Sequence, residues 1–148
     1  MSTDYKQMIF LNIPVSDIAR SRAFYAGLGF TFDERFCDEG GACVVISDTI
    51  TLMILTHEKF AGFSPRPVSS PAESAQHLIC LSSESRAAVD ALLDKALASG
   101  GTDTGKTIEM GDYMYGRSFS DPDGHVFEIM WMDVDRAMAA WVPEAASA

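Results

Sequence analysis

The sequence predicts an α+β fold built from two βαβββ units, and three observations carry the prediction. A strand, a helix and three further strands follow one another twice along the 148 residues, an internal duplication at the level of pattern. In each copy the helix opens after a capping residue and stops at glycine. The final strand follows the turn Asp121-Pro122-Asp123-Gly124 and is apolar at both alternating positions, apart from Glu128.

In the first copy Met8–Val15 reads as a strand. Ser16 or Asp17 caps a helix that reaches Leu28, carries Ile18, Phe24, Tyr25 and Leu28, and ends at Gly29. Strands are expected over 30–36, 42–47 and 50–56, with Asp38-Glu39-Gly40-Gly41 and Ser47-Asp48-Thr49 as the turns between them. The second copy opens on a strand at 77–81. Its helix is capped by Ser83 or Ser85, and Ala88, Val89, Leu92, Leu93, Ala96 and Leu97 form an amphipathic stripe. Gly100-Gly101 stops that helix, and strands over 102–107, 113–120 and 124–132 close the unit. The repeats thus occupy about 5–56 and 76–133. Residues 57–75, with Pro65, Pro67 and Pro71 and no periodicity, read as a linker. The tail 134–148 reads as a short helix or loose chain.

Composition bounds the function classes. At 47% hydrophobic and 22% charged residues, the chain can bury a core and is not of the disordered class. A net charge of −10 opposes nucleic acid and anionic membranes as partners. No apolar run approaches the roughly 20 residues that span a bilayer. With no export signal visible and three cysteines without a CxxC pair, the expected compartment is the cytoplasm. Cys80, inside an apolar run, is the expected core cysteine. Gly-rich phosphate loops, G-x-S-x-G and H-E-x-x-H are absent from the sequence.

Glu128 is the residue that asks for an explanation. A carboxylate in a covered strand is costly unless it is paired, protonated or coordinated. A three-residue loop with a glycine bulge at the preceding turn puts Ser118 opposite Glu128, whereas a two-residue loop puts Arg117 there. Either would be a hydrogen-bonding partner. Burial would alternatively raise the Glu128 pKa and suit it to general acid or base work. The segment Gly111–Arg117 offers Tyr115 and Arg117, which can stack on or hydrogen-bond a ligand at a cavity mouth, or pack at a sheet edge or subunit interface.

The segment from Val15-Ser16-Asp17-Ile18 to Phe24-Tyr25 with Leu28-Gly29-Phe30, and Asp121-Pro122-Asp123-Gly124 followed by Glu128, resemble the vicinal oxygen chelate superfamily. That group holds glyoxalase I, bleomycin-resistance proteins, fosfomycin-resistance enzymes and extradiol dioxygenases. The resemblance covers about residues 8–133. It implies sheets curled around a cavity, a homodimer, and in enzymatic members a divalent ion (Zn, Ni, Mn or Fe) held by one ligand from the first and last strands of each unit. Position by position it implies Glu128 and His77 as ligands, with Glu128 also the catalytic residue and His77 alternatively a proton shuttle. Phe10 falls at the first ligand position of the first unit, with Asn12 on the same face. The strand holding Met53 supplies no Asp, Glu or His. Asn12 and Tyr115 would orient a substrate.

Two functions follow as expectations. One is a glyoxalase-like lyase or related metal-assisted enzyme acting on a small organic molecule. The other is a metal-free binding or sequestering protein of the bleomycin-resistance kind, its pocket lined by Phe10, Met53 and Met130, since methionine gives adaptable apolar surface.

Overall fold

In a computed structural model, the structure describes residues 4–141. The chain forms two compact units that divide between Ser74 and Ala75. The first holds β1 (Ile9–Val15), α1 (Ile18–Gly27), β2 (Thr31–Phe32), a 3-10 turn (Glu34–Phe36), β3 (Gly41–Val45), β4 (Ile50–Thr56) and α2 (His57–Phe63). The second holds β5 (Ile79–Ser82), α3 (Arg86–Ala98), β6 (Thr102–Met110), β7 (Met114–Ser120), β8 (Val126–Met132) and α4 (Val134–Trp141). Each unit is an open four-stranded mixed sheet, not closed into a barrel, ordered β1-β4-β3-β2 and β5-β8-β7-β6. The two orders are the same, so the duplication in the sequence is a duplication of topology. In each unit the first strand pairs in parallel with the last, and the other pairs are antiparallel. That arrangement requires a helical crossover after the first strand. No helix among the described residues is long and apolar enough to cross a membrane.

The helices start and stop where the side chains dictate. Asp17 accepts the Arg20 N–H at 3.0 Å and caps α1, and Gly29 past its end takes φ 95°. Ser85, three residues before Ala88, caps α3 through that residue's N–H at 3.0 Å. Each sheet buries one face beneath its crossover helix. In the first unit Ile13, Val15, Ala42, Val44, Leu52 and Ile54 pack with Phe24, Tyr25 and Leu28, all buried. In the second, Phe119 and Phe127 pair in register and stack at 5.4 Å, with Ile129 beside them and Val89, Leu93 and Ala96 above. Burying a side chain of this size contributes about 1.5–3 kcal/mol, so these two clusters dominate the stability of their units.

Four expectations change. The strand expected over 30–36 shrinks to β2, because the Asp33 carboxylate accepts the Arg35 N–H at 3.2 Å and starts the 3-10 turn. The segment expected as linker opens with α2, capped by Thr56 through the Lys59 N–H at 3.2 Å. The strand expected from His77 begins two residues later, at Ile79. Cys80 is exposed while Cys43 is buried: β3 lies between β2 and β4, whereas β5 is an edge strand. The tail forms α4 over Val134–Trp141, and the rest of it lies outside the described residues.

Candidate functional site

The loop before β8 sets the register of the site. The buried Asp121 side chain accepts the N–H of Asp123 at 3.0 Å and of His125 at 2.8 Å. Asp121 and His125 are joined by a backbone bond of 2.9 Å, and Gly124 adopts φ 102°. Pro122-Asp123-Gly124 is therefore the three-residue loop, and β7 and β8 align with Ser118 opposite Glu128. Arg117 falls opposite Ile129, on the other face.

Across the sheet the Glu128 row reads Cys80, Glu128, Ser118, and the next row on that face reads Ser82, Met130, Gly116. Gly116 leaves room that Met130 uses: a Cβ there would lie 3.2 Å from the Met130 methyl and 3.1 Å from the Ile129 carbonyl. Glu128 is half-buried rather than fully covered. Partial desolvation by the surrounding side chains, and then the Glu128 charge beside it, push the Cys80 thiol above its ordinary pKa, though its residue is exposed overall.

Tyr115 and Arg117 are not brought together with Glu128. They occupy the face beneath α3, where the Tyr115 hydroxyl donates to Asp90 at 2.6 Å and Arg117 bonds Asp103 at 2.8 Å. The Asp90 carboxylate holds the Tyr115 phenol above its ordinary pKa. Arg86 lies over the rings of Tyr115 and Trp131, at 5.1 and 5.5 Å. The Tyr115–Asp90 bond, with Arg117 4.0 Å from the same carboxylate, fastens α3 to the sheet, while the Arg117–Asp103 pair ties β7 to β6. Once the three-residue loop sets the β7–β8 register, alternation along β7 puts Tyr115 and Arg117 on the face away from Glu128.

In the first unit Asn12 and Met53 pair in register, with Cys43 next across the sheet. The Asn12 amide donates back to the Phe10 carbonyl at 3.1 Å, and Phe10 is exposed. The two units correspond residue by residue through their registers. Met53 stands where Glu128 stands, Asn12 where Cys80 stands, and Cys43 where Ser118 stands. His77 is exposed and precedes β5. The residue in phase with Cys80 two positions earlier is Leu78, so His77 is off the Glu128 row.

These side chains do not fit the divalent centre expected of an enzymatic member. Among the described residues no group of three or more His, Cys, Asp or Glu is arranged to hold a metal ion. The row partners of Glu128 are a thiol and a hydroxyl, and its counterpart in the first unit is a thioether.

Residues 7–47 match the family model described as bleomycin resistance protein-like N-terminal. No curated protein matches the chain in sequence. Among solved structures, a hypothetical protein from S. aureus is 25% identical with a TM-score of 0.71, over 86% of this chain and 95% of that one. A glyoxalase/bleomycin resistance protein/dioxygenase family enzyme from Burkholderia phytofirmans is 24% identical, TM-score 0.69, over 84% and 98%. A bleomycin resistance determinant encoded on the transposon Tn5 is 18% identical, TM-score 0.60, over 86% and 99%. The paired βαβββ topology, the N-terminal match and these structural likenesses together give the chain the vicinal oxygen chelate fold of the glyoxalase, bleomycin-resistance and dioxygenase proteins.

Proposed function

We propose that this protein binds an organic molecule that presents apolar surface, without a metal ion, and that Glu128 anchors a cationic or hydrogen-bond-donating group on it. The carrying observation is the Glu128 row. A single half-buried carboxylate stands between Cys80 and Ser118, with Met130 on the same face. A few placed polar groups on an apolar, adaptable surface are what small-molecule recognition needs. Ser118 orients the carboxylate or adds a second hydrogen bond to the ligand. On the first unit, Phe10, Asn12 and Met53 share one face, where a thioether replaces the carboxylate. The net charge of −10 favours approach of a cationic ligand.

The match of residues 7–47 to a bleomycin resistance protein-like domain makes bleomycin, a large amine-bearing molecule, the first probe. Thermal-shift screening with bleomycin and a panel of aromatic amines, all in chelator, tests the reading. Stabilisation by at least one of them, reduced in Glu128→Gln, is the expected result. Stabilisation that requires an added divalent ion, or that survives Glu128→Gln unchanged, contradicts it. The reading includes a homodimer, supported by the exposed Met8, Ile9 and Phe10 at the start of the edge strand β1.

A further inference from the structure

Two of the three cysteines belong to one side-chain cluster that the ligand-binding reading leaves unused. The half-buried Cys37 lies just past the 3-10 turn. Its sulfur accepts the Cys43 backbone N–H at 3.4 Å and donates to the Asp33 carbonyl at 3.3 Å. The Asp33 N–H in turn bonds the Cys43 carbonyl at 3.0 Å. The Cys37 sulfur thus takes the place of a backbone acceptor along the edge of β3, where β2 has ended, and it already touches the residue that carries the second thiol. The Arg22 guanidinium, bonded to Glu34 at 2.5 Å, also reaches the Cys37 sulfur.

We propose that Cys37 and Cys43 form a reversible intrachain disulfide, with Cys37 as the attacking thiol and Cys43 as the resolving one. A disulfide needs a Cβ–Cβ separation of about 3.5–4.5 Å, and the 3.4 Å contact of the Cys37 sulfur with the Cys43 backbone nitrogen sets the two residues side by side for it. The roles follow from the surroundings. Cys37 is reachable from solvent, so an external disulfide meets its sulfur first. Cys43 is buried, and burial pushes its thiol above the ordinary pKa.

The oxidant is a small disulfide of the glutathione class. The Cys37 thiolate attacks one of its sulfurs, forming a mixed disulfide and releasing one thiol. Cys43 gives up its proton and attacks the Cys37 sulfur, forming the intrachain bond and releasing the second thiol. The two protein thiols lose two electrons and two protons, and the external disulfide becomes two thiols. Cys43 lies next to Met53 in register, so the bond redirects a side chain on the face proposed for ligand contact. The disulfide itself does not depend on that proposal.

The test is peptide mapping of the whole chain after equilibration in a glutathione redox buffer, acid quench and alkylation, for the wild type, Cys43→Ser and Cys37→Ser. Cys80, the one cysteine of the second unit, is the internal control. A linked Cys37–Cys43 peptide in the wild type is expected, together with glutathione retained on Cys37 in Cys43→Ser and an unmodified Cys43 in Cys37→Ser. Wild-type protein in which Cys37 carries glutathione while Cys43 stays a free thiol would overturn the proposal. So would protein in which both remain reduced in a buffer that oxidises Cys80.

Discussion

At Glu128 the sequence and the structure meet on one physical question, how a strand tolerates a carboxylate. The answer among the described residues is partial exposure and a row of small polar neighbours, Cys80 and Ser118. The sequence left Ser118 and Arg117 open as the residue opposite Glu128, and the structure takes Ser118 because Pro122-Asp123-Gly124 is a three-residue loop and loop length fixes register. The opposite placement of Tyr115 and Arg117 needed the same register carried two positions further. Their partner Asp90 sits on α3, a contact that no local pattern announces. The closeness of Glu128 and Cys80 has a measurable sign. Because the Glu128 charge helps hold the thiol pKa up, Glu128→Gln lowers that pKa and increases the thiolate fraction near pH 8. Alkylation of Cys80 by iodoacetamide, followed by peptide mass spectrometry, is therefore expected to run faster in Glu128→Gln. An unchanged rate would place the carboxylate too far away to matter.

Among the elements, those with caps and periodicity were readable and those made by short-range side-chain bonds were not. The amphipathic stripe and Ser85 announced α3. The seven residues of α2 carry too little periodicity to announce themselves, and only Thr56 marks their start. β2 is short because Asp33 diverts the backbone into a turn. The turn before β8 owes its shape to Asp121, whose buried carboxylate accepts two backbone N–H groups. Asp121→Ala leaves those donors unpaired and is expected to cost about 2–3 kcal/mol in urea unfolding, the scale of a buried unsatisfied group. Gly41 is constrained differently. A Cβ there would stand 2.8 Å from the Leu55 side chain and 3.0 Å from the Ile54 carbonyl, so Gly41→Ala is expected to cost about 1–3 kcal/mol by overpacking. A fall below 0.5 kcal/mol in either variant would show that the neighbours yield more easily than the packing implies.

For the whole molecule, the duplication was legible as pattern and is realised as two sheets of identical order. What the pattern could not show is how far the two copies have diverged at corresponding positions. Glu128 in one faces the task that Met53 holds in the other, and His77, one residue out of phase, joins neither. On the proposed reading that divergence makes this face a binding surface rather than a metal centre, with Glu128 between Cys80 and Ser118 and Met130 in the next row. Light scattering on the purified protein is expected to give the mass of a dimer at micromolar concentration, and a monomer at every concentration would remove the edge of β1 as an interface. The central claim rests on metal-independent recognition at Glu128. Isothermal titration of bleomycin into metal-stripped protein in excess chelator, beside Glu128→Gln, tests it most directly. Saturable binding that the substitution weakens about tenfold or more, as loss of a charged hydrogen bond entails, is the predicted result. Binding that appears only when Zn or Ni is restored, or that is equally tight in both proteins, would contradict the account.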